Sequence, residues 1–156
     1  MTLYNNIISL LDQYNIAYIE YDHPPILSYE DAEREKANHN WQGIESKNVF
    51  MTDGNNKYYL FVTTQGSKVD FKQMKELTGS KLALASADAV RDVIHCVPGC
   101  VAPFGFDSQI TTIIDKSVFS HDHYLFSPGI TTKTIQLSPW DLLPLYQKQA
   151  NTTIIG

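Results

Sequence analysis

Apolar residues near the start of the chain recur at the spacing of one helix face. The members of this stripe are Leu3, Ile7, Leu10, Leu11 and Tyr14. Because steps of three and four residues bring side chains to one side of an α-helix, the pattern predicts an amphipathic helix over residues 3–14. Thr2 stands where its side chain can cap the first turn. From Ala17 to Tyr21 apolar and polar residues alternate, which predicts a half-buried strand that ends before Pro24.

Polar residues that can cap a helix predict four more helices. The capping residues are Ser28, Asp70, Ser86 and Ser138, and the helices run over about 29–38, 71–79, 87–95 and from 139 onward. Gly79 is a natural C-terminal stop, and Pro139 suits the first position of a helix. Pro144 is expected to bend the last helix.

A hairpin is the clearest β feature of the sequence. The β-prone runs 47–52 and 57–63 flank the turn-forming tetrapeptide Asp53-Gly54-Asn55-Asn56. Other strand-like segments are 81–85, 110–115, 123–127 and 132–137. Helices and strands are mixed without a regular βαβ alternation, repeat or linker, so we expect an α+β fold and a single domain over residues 1–156.

Composition and charge narrow the possible functions. Of 156 residues 43% are hydrophobic, which is typical of a packed domain. The net charge of −5 excludes binding of nucleic acid by global electrostatics, so any such contact must be local. No apolar run approaches the roughly 20 residues of a membrane span, and the start has no basic stretch before its apolar residues. The expected location is therefore cytoplasmic.

Several familiar catalytic patterns are missing from the sequence. It has no P-loop, no GxGxxG, no GxSxG and no HExxH. His121 and His123 could hold a metal, but no third ligand is identifiable and a polar loop explains them as well. His95 next to Cys96, with Cys100 beyond, could form a thiolate–imidazole pair, although a buried cysteine beside a helix-end histidine is the simpler interpretation.

The segment from Pro98 to Gly105 contains two glycines and two prolines in eight residues. Such a rigid loop lets backbone amides approach a ligand without obstruction by side chains, as in oxyanion and phosphate sites. A purely structural turn is the alternative.

Taken in order, these pieces resemble the YbaK/prolyl-tRNA synthetase editing-domain family, and within it the stand-alone branch similar to the alanyl-tRNA(Pro) deacylases. The resemblance runs nearly end to end. Its segments are Tyr21-Asp22-His23-Pro24-Pro25, Ser28-Tyr29-Glu30-Asp31-Ala32, Lys47-Asn48-Val49-Phe50-Met51, Lys68-Val69-Asp70-Phe71-Lys72, Lys81-Leu82-Ala83-Leu84-Ala85-Ser86 and Pro98-Gly99-Cys100-Val101-Ala102-Pro103-Phe104-Gly105.

The resemblance implies a fold, a reaction and partners. The fold is a mixed, mostly antiparallel sheet rolled toward a barrel, with surrounding helices. The reaction is hydrolysis of the ester that joins an amino acid to a mischarged tRNA, with tRNA(Pro) carrying a small non-cognate amino acid as the expected substrate and with no metal or cofactor. The implied partners are the acceptor end of aminoacyl-tRNA and prolyl-tRNA synthetase, with no membrane and no DNA.

The resemblance also implies roles for individual residues. Gly99 and its neighbours would offer amide donors to the ester carbonyl, and Lys47 would hold the terminal phosphate or ribose. These two are the expected catalytic residues. The expected substrate-binding residues are Ser28, Asn48, Cys100, Val101, Ala102, Pro103, Phe104, Gly105, Ser127, Pro128 and Thr131. A lysine face formed by Lys47, Lys68, Lys72, Lys75 and Lys81 could supply the local contact with tRNA.

One segment departs from the family pattern. Stand-alone members often carry a histidine–proline followed by an asparagine, where this chain has Ser127-Pro128 and Thr131. A serine hydroxyl is smaller than an imidazole and does not titrate near neutral pH. This departure supports a second hypothesis, in which the protein is a catalytically weak relative that binds aminoacyl-tRNA or a synthetase without turnover. A thiol or metal hydrolase is the third hypothesis.

Overall fold

The computed structural model describes residues 2–156, and within them the chain forms five α-helices, two short 3-10 helices and eight strands. The helices are α1 (Leu3–Gln13), α2 (Tyr29–His39), α3 (Phe71–Thr78), α4 (Ala87–Ile94) and α5 (Leu143–Gln147), and the 3-10 helices are Lys116–Ser120 and Pro139–Leu142. The strands are β1 (Tyr18–Asp22), β2 (Ile44–Thr52), β3 (Tyr58–Thr64), β4 (Ala83–Leu84), β5 (Thr111–Asp115), β6 (Tyr124–Phe126), β7 (Lys133–Leu137) and β8 (Thr152–Ile155).

The helix starts follow from local side-chain chemistry. Thr2, Ser28, Asp70 and Ser86 each accept a hydrogen bond from a backbone N–H of the first turn with a side-chain oxygen. Each of these bonds satisfies a donor that the helix itself leaves free. Gly79 ends α3 in the left-handed conformation. These caps confirm the starts that the sequence predicts for α1 to α4.

All eight strands belong to one mixed sheet. The strand order is β1-β7-β6-β2-β3-β5-β8, and β4 pairs with β2. Four pairings are antiparallel (β1·β7, β6·β7, β2·β3 and β2·β4) and three are parallel (β2·β6, β3·β5 and β5·β8). The end strands β1 and β8 do not pair with each other in the described chain, so the sheet is not closed. The α+β class and the mixed sheet are confirmed.

Three elements of the structure differ from the prediction. The strand predicted to start at Lys47 begins at Ile44, because Ile44 and Glu45 pair in parallel with Tyr124 and Leu125 of β6. Strand β8 was not predicted. The expected single C-terminal helix is a 3-10 turn followed by α5, with Pro144 in the first turn of α5, where a missing N–H costs nothing.

The central strands bury side chains on both faces. Phe50, Leu60 and Val62 belong to the main core, together with residues of α1, α4 and α5. Their neighbours Met51 and Phe61 point the other way, into a smaller core with Met74 of α3 and Leu82. This double burial fixes the register of β2 and β3, because a slip of one residue would exchange the two faces. Among the helices described, none is both long and apolar enough to cross a membrane.

Candidate functional site

A cavity of about 650 Å³ opens between the start of α2, strand β2 and two loops. One loop follows α4 and includes residues 98–101, and the other follows β6 and includes residues 127–131. Of the 13 predicted site residues, eight line this cavity. They are Ser28, Lys47, Asn48, Gly99, Cys100, Val101, Ser127 and Thr131. Residues far apart in sequence thus share one cleft.

The other five predicted residues do not line this cavity. They are Ala102, Pro103, Phe104, Gly105 and Pro128. After Val101 the loop enters the main core, where Ala102 and Phe104 are 0% and 1% exposed. The Tyr146 hydroxyl donates to the Pro103 carbonyl over 2.7 Å, and Asn6 donates to the Gly105 carbonyl over 2.6 Å. These contacts anchor the loop rather than present its second half to a ligand.

Lys47 is the fourth residue of β2 and is half-buried. Its ammonium group donates a hydrogen bond of 2.6 Å to the carbonyl of Ser67. The side chain is therefore held at the cavity wall instead of extending freely into solvent. The remaining two ammonium protons are available to an anionic or carbonyl group of a ligand.

Asn48 joins the sheet to the glycine–proline loop. Its side-chain nitrogen donates to the Val101 carbonyl over 3.0 Å and to the Ser46 hydroxyl over 3.1 Å. A carbonyl only accepts, so this contact fixes which end of the amide faces the loop. The other end, Oδ1, is buried and has no partner within residues 2–156.

The loop reaches the cavity through a tight turn at Gly99. Gly99 has φ +89°, a left-handed conformation that favours glycine, and the Cys100 N–H donates to the Val97 carbonyl over 2.8 Å. The Val97 N–H donates to Gly129, which ties this loop to the one after β6. In the described chain the N–H groups of Gly99 and Val101 donate no hydrogen bond to protein.

Ser127 shapes the second loop. Its hydroxyl donates to the Ile130 carbonyl over 2.9 Å and accepts from the Gly129 N–H over 3.2 Å. Ser127 also lowers the pKa of the nearby Cys100 thiol, by less than burial raises it. The residue that stands in place of the family histidine therefore closes a turn as well as lining the cavity.

The two cysteines are poorly suited to nucleophilic catalysis. Cys96 is 2% exposed, and burial raises the pKa of its thiol to about 11. Burial also raises the pKa of Cys100. Since the thiolate is the reactive form, both side chains are in their inert state near neutral pH.

His95 is an exposed helix C-cap. No group of three or more possible metal ligands occurs in residues 2–156, where His121 and His123 lie in the turn before β6.

The sequence analysis did not place several polar or aromatic residues of the cavity in the site, and three of them have notable surroundings. They are His23, Trp41 and Glu45. The His23 ring lies between the Pro24 carbonyl (2.8 Å) and the Thr134 hydroxyl (2.9 Å), which fixes the ring orientation. Trp41 is 5% exposed and stacks on His39 with ring centroids 5.3 Å apart. Burial raises the pKa of Glu45. The sequence signal for this part of the cavity is a tryptophan, Trp41, in the polar stretch between α2 and β2.

Apolar side chains surround the cavity mouth. Leu27, Tyr29 and Leu84 line the cavity and are 77%, 70% and 65% exposed. Isolated exposed apolar residues need no explanation, but three at one opening provide a surface on which a flat aromatic group can lie. The cleft therefore combines an apolar entrance with polar walls.

The sequence of this chain is similar to those of known proteins. A family model described as the aminoacyl-tRNA editing domain matches residues 23–145. The chain is 28% identical over 152 residues to the prolyl-tRNA editing protein ProX of Acetoanaerobium sticklandii, covering 94% of this chain and 92% of that protein. It is 26% identical over 99 residues to the multifunctional Ser/Thr-tRNA deacylase ProXp-y of Escherichia coli K12, covering 62% of this chain and 59% of that protein.

The fold is also found among solved structures. A proposed trans-editing enzyme for prolyl tRNA synthetase superposes with a TM-score of 0.74 at 17% identity, covering 99% of this chain and 96% of that one. A hypothetical protein superposes with a TM-score of 0.78 at 16% identity, covering 96% of both chains. At such identities the likeness concerns the fold alone. The family match spans most of the sequence and contains the cavity, so the chain belongs to the aminoacyl-tRNA editing domain family, a family of aminoacyl-tRNA hydrolases.

Proposed function

We propose that this protein is a trans-acting deacylase that hydrolyses the ester of a mischarged tRNA, with tRNA(Pro) carrying a small non-cognate amino acid as its substrate. The observation that carries the proposal is the convergence of Lys47, Asn48 and Gly99 on one cavity. The relatives support the choice of tRNA, because one is named a prolyl-tRNA editing protein and another a prolyl-tRNA synthetase associated domain-containing protein of Bos taurus.

The reaction requires little covalent chemistry from the protein. Water attacks the ester carbonyl, a C–O bond to water forms, and the carbonyl oxygen becomes an oxyanion. The bond to the ribose oxygen then breaks, that oxygen takes one proton of the attacking water, and the amino acid leaves as a carboxylate after the other proton passes to solvent. Stabilising the oxyanion is the main demand on the site, and one well-placed donor contributes about 3 kcal/mol. In this proposal the free N–H groups of Gly99 and Val101 are those donors.

Lys47 is proposed to hold the terminal phosphate or the ribose of the tRNA. Its ammonium group bonds to the Ser67 carbonyl, so it stands beside the segment that continues with Lys68. Lys72 and Lys75 follow on α3, and all three of these lysines are exposed. This local basic surface offers the few phosphate contacts that an acidic protein needs to hold an acceptor end.

Ser28, Ser127 and Thr131 are proposed to line the pocket for the amino-acid side chain. A hydrophobic contact separates similar substrates by only about 1–3 kcal/mol, so exclusion by size is the more effective principle for a small substrate. The Ser28 hydroxyl also caps α2, which holds its position. The whole of residues 1–156 is proposed to act as one domain, without metal or cofactor, in the cytoplasm where tRNA is charged and with prolyl-tRNA synthetase as a protein partner.

A second candidate function is binding without turnover. Ser127 and Thr131, in place of the family histidine and asparagine, favour it. The two candidates differ in one outcome: a binding protein would retain aminoacyl-tRNA with its ester intact, whereas a deacylase would release the amino acid.

The test is single-turnover deacylation of tRNA(Pro) charged separately with alanine, cysteine, serine, threonine and proline. Metal is chelated and spontaneous hydrolysis is subtracted. Selective loss of one non-cognate amino acid would support the proposal and identify the pocket's preference. Loss of none above background, together with retention of charged tRNA on a filter, would favour the binding protein.

A further inference from the structure

Three buried side-chain atoms in residues 2–156 have no hydrogen-bond partner, and all three belong to residues that line the cavity. They are Trp41 Nε1, Glu45 Oε1 and Asn48 Oδ1. Buried polar groups in proteins are nearly always paired, because an unpaired one loses its hydration without compensation. Their concentration in one cleft distinguishes this cleft from the rest of the described chain.

Glu45 is the unusual member of this set because its side chain ends in an ionisable carboxyl group. The nearest cation is Lys36, whose ammonium group lies 4.0 Å from Glu45 Oε1, beyond hydrogen-bond distance, and donates instead to the Gly43 carbonyl over 3.1 Å. The Glu45 side chain is only 18% exposed. A carboxylate that is largely removed from water and lacks a hydrogen-bonded partner is suited to receive a cation from outside.

The other charged side chains of the cavity are already engaged or positive. Lys133 forms ion pairs with Glu20 and Asp22. Lys47 is the second residue after Glu45 on β2, so the two side chains leave the strand on the same face with Cα atoms about 7 Å apart. The cleft is therefore lined by an ammonium group and a carboxyl group that leave the same face of β2.

An aminoacyl ester of a terminal nucleotide has the complementary pair of charges. Its phosphate is anionic, and its α-amino group is an ammonium ion near neutral pH. We propose that Glu45 binds the α-ammonium group of the aminoacyl ester, so that the enzyme accepts esters with a free amino group and rejects those whose amino group is acylated, peptidyl-tRNA included. This inference rests on the proposed function, and it names the substrate class of the same site.

The test compares the aminoacyl-tRNA(Pro) that is hydrolysed fastest in the amino-acid panel with the same molecule after N-acetylation. Each single-turnover rate is divided by the spontaneous rate of that ester, because the free ammonium group itself activates the bond. The wild-type enzyme is expected to prefer the free amine by about tenfold or more, the size of a charge-assisted hydrogen bond. Equal normalised rates would overturn the inference without any variant.

Glu45→Gln keeps the shape and removes the charge. It is expected to lower the rate on the free amine by about tenfold and leave the N-acetyl ester unchanged, so that the preference disappears. Glu33→Gln is the matched control, because Glu33 is an exposed neighbour whose charge acts on Glu45 but which does not line the cavity. It should behave as wild type, and the melting temperature of each variant is measured.

The outcomes distinguish a failure of the role given to Glu45 from a failure of the proposed deacylase function. A Glu45→Gln enzyme that retains both the rate and the preference would overturn the role of Glu45 alone. Wild-type protein that hydrolyses no aminoacyl-tRNA(Pro) would overturn the proposed function, and the inference with it.

Discussion

The side-chain amide of Asn48 lies 3.0 Å from the carbonyl oxygen of Val101, so one hydrogen bond joins the central strand to the glycine–proline loop. The contact spans 53 residues of sequence and lies beside the only two loop amides proposed to bind the ester. In the same strand, Lys47 approaches the cavity from the neighbouring position. The loop conformation and the position of Lys47 are thus set by a single segment of β2.

Replacing Asn48 with alanine should loosen this connection. The substitution removes two hydrogen bonds, to the Val101 carbonyl and to the Ser46 hydroxyl, which together contribute about 2 kcal/mol to stability. We expect the free energy of unfolding to fall by about that amount and the single-turnover deacylation rate to fall about tenfold or more, because a small misplacement of the donors is costly in catalysis. Urea unfolding and deacylation measured together check this. A variant with reduced stability and a full rate would remove Asn48 from the positioning of the loop.

Gly99 allows a test with a built-in control. Gly99 and Gly54 have φ values of +89° and +83°, and a Cβ at either would meet nothing within 4 Å. Alanine at each should therefore cost the same conformational strain, about 1–2 kcal/mol. Only Gly99→Ala should also reduce deacylation, because Gly54 is in the hairpin turn away from the cavity. Equal activity of the two variants would contradict a catalytic role for the Gly99 turn.

Lys47→Ala should separate activity from stability. The substitution removes one hydrogen bond to Ser67, which corresponds to about 1 kcal/mol of unfolding free energy. Deacylation should fall about tenfold or more, since a charge-assisted contact with the substrate is lost. Lys57→Ala in the exposed hairpin is the control and should leave the rate unchanged. Activity of Lys47→Ala within about twofold of wild type would place the lysine outside the site.

Local chemistry made much of the fold predictable. The caps at Thr2, Ser28, Asp70 and Ser86 depend on residues within three positions, so the sequence pattern located these helix starts directly. The start of β2 and all of β8 depend on parallel pairing with β6 and β5, partners more than 35 residues away. Pairing at that distance leaves no periodic signal in the strand itself, and these elements were missed or shortened.

The same distinction applies to the site. Lys47, Asn48 and Gly99 could be named in advance because they stand in ordered sequence motifs that resemble a known family. Glu45 and Trp41 could not, since their importance lies in being buried without a partner, a property created by the packing of β2 against β6 and α2. The loop beyond Val101 was over-interpreted because glycine and proline mark a turn but do not reveal which of its residues enter the core.

Ser127→His tests how the second loop selects the amino acid. The larger imidazole should reduce the space in the cavity and shift hydrolysis toward the smaller members of the amino-acid panel. Ser127→Ala separates this effect from loss of the hydroxyl, which bonds Ile130 and Gly129. Ser127→Ala should lose about 1 kcal/mol of stability and keep the wild-type substrate profile. An unchanged profile in Ser127→His would show that position 127 does not face the side-chain pocket.

The buried thiol of Cys96 predicts a pH dependence of stability. Burial raises its pKa to about 11 in the folded protein, whereas a cysteine in an unfolded chain titrates near about 8.5. The folded state therefore favours the protonated thiol. Its contribution to stability is fully present below about pH 8.5 and is lost as pH rises toward about 11, which amounts to about 2 kcal/mol by pH 10.

Urea unfolding of wild type and Cys96→Ala at pH 8 and pH 10 measures this contribution as a difference. The substitution removes the titrating group, while the small cavity that it leaves affects stability equally at both pH values. The wild type should therefore lose about 2 kcal/mol more than the variant between the two conditions. Equal losses of unfolding free energy in the two proteins would mean that the fold tolerates the Cys96 thiolate. A reaction that uses this thiol would then again be a candidate at this end of the glycine–proline loop.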